Sequence, residues 1–142
     1  MSTAKTSLSG TWHNQHASEM DITISATGKV TGKYRTAVGV PQPSDTFELV
    51  GFSAGDLIAF TVDFGRYQSL TAWVGQHVMH DGVEKIETMW HLAVKIEDRE
   101  ESGWLWAGVR TGSDTFLRGP HPTGASATKT APSHPLGRLT VQ

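Results

Sequence analysis

Leu57-Ile58-Ala59-Phe60-Thr61-Val62-Asp63-Phe64, followed by Ser69-Leu70-Thr71-Ala72-Trp73-Val74, is the stretch on which the fold turns. Successive side chains of a strand point to opposite faces, so Phe60, Val62 and Phe64 share one side of the first segment. Ser69, Thr71 and Trp73 share one side of the second. Alternation of this kind recurs along the chain near 8–14, 19–26, 29–38, 46–53, 57–64, 68–79, 84–96 and 104–117, and helical periodicity is nearly absent. Turn signals divide the segments: Thr27-Gly28, Ser53-Ala54-Gly55-Asp56, Asp81-Gly82, and the charged run 97–101 before Ser102-Gly103. A meander of about eight short strands forms a sandwich or closes on itself, and closure removes the exposed edges. The expected fold is all-β, an eight-stranded antiparallel up-and-down barrel. Such an interior is just wide enough to be filled by side chains or to hold one small ligand.

The chain has 142 residues, 37% hydrophobic and 18% charged, which suits one domain with a real core. Twelve Lys plus Arg against fourteen Asp plus Glu leave a formal net charge of −2, so neither a nucleic acid nor a membrane surface is an expected partner. There is no cysteine, hence no disulfide, thiol nucleophile or thiolate metal site. The opening Met1-Ser2-Thr3-Ala4-Lys5-Thr6-Ser7 lacks the apolar centre of a signal peptide. Residues 1–7 are taken as an N-terminal extension, 8–118 as the barrel domain, and the Pro- and Gly-rich stretch 119–142 as a C-terminal tail expected to be flexible.

Sorting each segment by parity places Trp12 with Asn14, Tyr34 with Thr36 and Val38, Thr88 with Trp90 and Leu92, and Trp106 with Gly112 and Asp114. If these faces look inward, large rings stand beside hydroxyls, one amide and one carboxylate. Each buried hydroxyl or amide left without a partner costs roughly 1–3 kcal/mol, so such an interior requires ordered water or a polar ligand. Core packing of the tryptophans, and an Arg110–Asp114 structural pair, are the plainer readings. The seven histidines complete no recognisable ligand spacing, and no metal or cofactor is expected. Neither a nucleophile elbow nor a phosphate-cradling glycine loop occurs, and the protein is expected not to be an enzyme.

The segment Gly10-Thr11-Trp12-His13-Asn14-Gln15 with Ser18, and Thr31-Gly32-Lys33-Tyr34-Arg35-Thr36-Ala37-Val38-Gly39, resemble the opening of the avidin and streptavidin family of biotin-binding proteins. Ser69 to Gln76, Thr88 to Leu92, and Trp106 through Gly112 to Phe116 match that family in order and approximate spacing. The resemblance implies high-affinity, non-covalent sequestration of biotin as a ligand. It implies Asn14, Ser18 and Tyr34 as donors to the ureido oxygen, and Thr36 and Asp114 as acceptors for the ureido N–H groups. Thr71 would lie near the ring sulfur, and Ser69 with the backbone of Val38, Gly39 and Val40 would meet the valeryl carboxylate. Phe64, Trp73 and Trp90, with Leu92 beside them, would form the walls. Trp106 would be lent to a neighbouring copy, which implies a homotetramer or homodimer, and the resemblance also implies secretion. His16, where the family carries an apolar residue, Ala17 in place of a glycine, and the two prolines of Val40–Asp45 depart from the pattern. The alternative is a lipocalin-like carrier or enzyme for another cyclic amide, urea or lipid.

Overall fold

The computed structural model describes residues 7–36, 45–96 and 108–122. Eight strands follow in chain order: β1 Gly10–Asn14, β2 Glu19–Ile24, β3 Lys29–Arg35, β4 Phe47–Ala54, β5 Leu57–Asp63, β6 Ser69–His80, β7 Val83–Val94 and β8 Val109–Arg118. Each pairs antiparallel with the next, and β8 returns to β1 through Trp12 opposite Arg118 and Asn14 opposite Phe116, closing the barrel. The expected architecture is therefore the observed one. β3 ends at Arg35, so Thr36 follows the strand where alternation extended it to 38. The last strand begins at Val109, and 104–107 lie outside the described residues.

Turn chemistry explains the tight connections. Asp81 and Gly82 both have positive φ, 52° and 75°, as a two-residue hairpin with the twist of its strands requires. A short 3₁₀ turn at Gly65–Tyr67, which alternation does not predict, links β5 to β6. Asp63 Oδ1 accepts from Gly65 N at 2.7 Å there, and Gln68 leaves the turn in the left-handed region. Where strands pass close, a side chain has no room: a Cβ on Gly75 would lie 2.0 Å from the carbonyl oxygen of Glu87.

The inward faces form one core. A cross-strand row runs Gly51, Phe60, Trp73, Trp90, Gly112 over β4 to β8, with large rings in its middle and glycines at its ends. Trp12, Met20, Tyr34, Leu49, Ile86 and Phe116 fill the space around it and are fully buried. One end of the barrel is sealed by a polar chain. The Arg118 guanidinium lies 4.0 Å over the Trp12 ring, donates to the carbonyls of Ser7 and Ser9, and meets Glu84 Oε2 at 2.7 Å. The same carboxylate oxygen lies 2.5 Å from Nε2 of buried His77, whose ring stands edge-on to Trp12.

Candidate functional site

The polar residues gather toward the other end. Asn14, the last residue of β1, is 1% exposed, and its side-chain oxygen accepts from the backbone N–H groups of His16 and Ser18, both at 3.0 Å. Those bonds hold the β1–β2 turn, in which Ala17 takes a positive φ of 68°. They also settle the amide's orientation, because the oxygen is used by the backbone and Nδ2 is left to face Tyr34, to whose hydroxyl it donates at 3.4 Å. Ser18 Oγ lies 3.4 Å from Thr36 Oγ1, and both residues are buried.

Asp114 stands on β8 within the barrel. Trp73 Nε1 donates to its Oδ2 and Gln15 Nε2 to its Oδ1, each at 2.9 Å, while Thr88 Oγ1 donates to its backbone carbonyl. Gln15 is itself fixed, since its Oε1 accepts from Thr115 N at 3.1 Å and its Nε2 also donates to Ser113 O. The carboxylate is thus clamped from β6 and from the turn after β1. Burial pushes the Tyr34 phenol well above its ordinary pKa, the Asp114 carboxylate raises it further, and hydrogen bonds with Ser18 and Asn14 pull the other way. Tyr34 therefore stays a neutral O–H donor at any physiological pH.

Rings enclose this set. Tyr34 lies 5.1 Å from Trp73 and edge-on to Phe64 at 6.0 Å, while Trp73 stacks on Phe60 at 5.1 Å. Leu92 and Trp90 bury completely on β7. Ser69 Oγ, Thr71 Oγ1 and Trp90 Nε1 are buried and have no hydrogen-bond partner among the described residues. The structure therefore brings Asn14, Ser18, Tyr34, Thr36, Phe64, Ser69, Thr71, Trp73, Trp90, Leu92 and Asp114 into one barrel interior. Val38, Gly39, Val40 and Trp106 lie outside the described residues. His16 is buried too, although it is polar where the resemblance implies an apolar side chain.

Gln15, Phe60 and Phe116 complete the site and were not among the expected residues. Phe60 had the inward parity as its signal. Gln15 had none, since it follows the last residue of β1, where alternation stops carrying information. Among the described residues no group of three or more His, Asp or Glu side chains is placed to hold a metal ion.

Residues 2–119 match the family model described as the Avidin family. Avidin-related protein 4/5 of Gallus gallus is 31% identical over 125 residues, covering 83% of this chain and 81% of that protein. Afifavidin of Afifella pfennigii is 31% identical over 114 residues, covering 77% of this chain and 67% of its own length. Among solved structures, xenavidin superposes with a TM-score of 0.69 at 32% identity, covering 78% of this chain and 96% of that one. A rhizavidin–biotin complex superposes at 0.66 with 29% identity, covering 78% and 99%.

Proposed function

The chain belongs to the avidin family, and from that membership we propose that it binds biotin inside the barrel, tightly and without catalysis. One observation carries the reading: Asn14, Ser18, Tyr34 and Asp114 are at most 2% exposed and converge among the rings of Trp73, Phe60 and Phe64. Three donors on one side and a clamped carboxylate on the other suit a cyclic urea. The carbonyl oxygen takes O–H and N–H bonds from Asn14, Ser18 and Tyr34, while Thr36 and Asp114 accept from the ring N–H groups. A charge-assisted bond to Asp114 is about twice as strong as a neutral one and draws electron density toward the urea oxygen. Because each group is already held by the backbone or by a neighbour, little conformational entropy is lost on binding.

Sequestration by a secreted protein is the role proposed for this affinity. Self-association, as a tetramer or a dimer, belongs to the same proposal and is supported by the outer surface. Phe52, Ala59, Val74 and Met89 form a cross-strand row over β4 to β7, and Phe52, Val74 and Met89 are each more than half exposed. In that assembly Trp106 would close a neighbour's pocket.

Calorimetric titration with biotin tests the reading. One saturable site per chain is expected, with a melting temperature that rises with ligand concentration. In Asp114→Ala affinity falls by a factor of ten or more while the barrel still melts cooperatively. A flat titration at micromolar protein overturns the assignment.

A further inference from the structure

The β1–β2 hairpin has two faces with different tasks. Its inner face carries Asn14 and Ser18, both buried, and Asn14 N donates to Ser18 O at 2.9 Å across the turn. Its outer face carries their chain neighbours His13 and Glu19, which stand opposite each other as the last register pair before that turn. Successive side chains share one backbone, so whatever grips this outer pair also fixes where the two inner groups point.

The chain just past the barrel supplies that grip. Gly119 turns the backbone off β8 and over β1 with a φ of 95°, a value that glycine adopts without a Cβ clash. Gly119 N donates to Thr11 O at 2.7 Å, and Gly119 O lies 2.8 Å from His13 Nδ1. A carbonyl can only accept, so Nδ1 carries the hydrogen of that bond. Two residues on, His121 N donates to Glu19 Oε2 at 2.8 Å, and the rings of His13 and His121 meet edge-on at 5.6 Å. The other oxygen of Glu19 takes the Arg35 guanidinium from β3. The seam beneath is short, since β1 meets β8 through three register pairs.

From these contacts, and resting on the biotin reading, we infer that residues 119–121 brace the ligand site from outside the barrel: through His13 and Glu19 they hold Asn14 and Ser18 aimed at the urea oxygen. His13 and Glu19 are positioning residues, on the face of the hairpin turned away from the ligand. A ligand leaves only when its donors give way, so the brace acts on dissociation and leaves encounter with the pocket unchanged.

The test uses the full chain with His13→Leu, His13→Asn and His121→Pro. Leucine removes the Nδ1 donor, asparagine restores an N–H at the same distance from the backbone, and proline removes the backbone N–H that bonds Glu19. Release of radiolabelled biotin into an excess of unlabelled biotin gives dissociation, tryptophan fluorescence gives association, and melting of the ligand-free chain reports folding. The lost hydrogen bond is expected to speed dissociation about fivefold in His13→Leu and in His121→Pro. Association stays within about twofold of wild type, and His13→Asn keeps the wild-type dissociation rate. Wild-type dissociation in either His13→Leu or His121→Pro, or equally fast dissociation in His13→Leu and His13→Asn, overturns the inference. A lowered melting temperature with an unchanged dissociation rate also overturns it, because the segment then serves folding alone. His121→Pro lies beyond the last strand and reads the same brace if a β1 variant does not fold. A wild type that takes up no biotin overturns the biotin reading itself, and this inference with it.

Discussion

Asn14 shows how much a single amide orientation decides. Its oxygen holds two backbone N–H groups of the β1–β2 turn, and so its nitrogen is the atom presented to Tyr34 and to a ligand. Asn14→Asp keeps the turn's acceptor and replaces the donor with a second oxygen. Biotin affinity is expected to fall by about 2 kcal/mol or more, since the donor is lost and the new oxygen repels the ligand's, and the melting temperature to fall as well, because a carboxylate is buried at this 1% exposed position without a counter-charge. Comparable affinity for the two proteins in calorimetry would refute this. Tyr34 gives a second prediction. Its pKa is raised on folding, so the unfolded chain loses that proton first as pH increases, and the native state is progressively disfavoured above about pH 10. Denaturation of wild type and Tyr34→Phe across pH 8–11 should show a fall above pH 10 that is smaller in the variant. Identical pH slopes would contradict the burial of an ionisable phenol. Alternation put Asn14, Tyr34 and Asp114 on inward faces, yet it was silent on Gln15, because a residue past the end of a strand has no parity to read.

At the level of elements, β6 and β7 are the longest strands, twelve residues each, and they supply both the floor and the walls. His77 is buried near the β6–β7 hairpin. It lies inward on β6, four residues beyond Trp73, and meets Glu84, which stands opposite Met79 on β7. Arg118 arrives from β8 to the same carboxylate oxygen and covers Trp12. Glu84→Gln removes the negative charge that holds two cationic or donor groups at the sealed end. We expect a loss of about 2 kcal/mol in folding stability, because the guanidinium is left over the indole without a counter-charge. Biotin affinity should change little, since the pocket groups lie toward the opposite end. Urea denaturation with a parallel binding titration checks this, and an unchanged midpoint would show that the chain of contacts contributes nothing. Turn residues made most strand limits legible in the sequence. The 3₁₀ turn after β5 was not legible, since it depends on Asp63 folding back onto Gly65 and not on any hydrophobic period.

For the whole molecule, the barrel is two-sided on its outside. The β1–β3 surface carries Glu19, Asp21, Lys33 and Arg35, with Arg35 paired to Glu19, whereas the β4–β7 surface carries Phe52, Val74 and Met89. Val74→Lys places a charge in the middle of the apolar row at a site exposed in the single chain. The wild type is expected to sediment as a dimer or tetramer and the variant as a smaller species with an intact barrel; light scattering that returns one mass for both would count against that face as the interface. The chain beyond β8 also turns back, with Gly119 bonded to Thr11 and His13, and His121 N bonded to Glu19. The rest of the expected tail, 123–142, lies outside the described residues. From the sequence alone came the all-β class, the strand series and the inward set, because a period of two is a local property of the backbone. The tertiary structure alone decided which atoms of that set are already engaged. Trp73 reaches Asp114 across 41 residues and Gln15 reaches it across 99, and only barrel closure brings such groups within hydrogen-bond range.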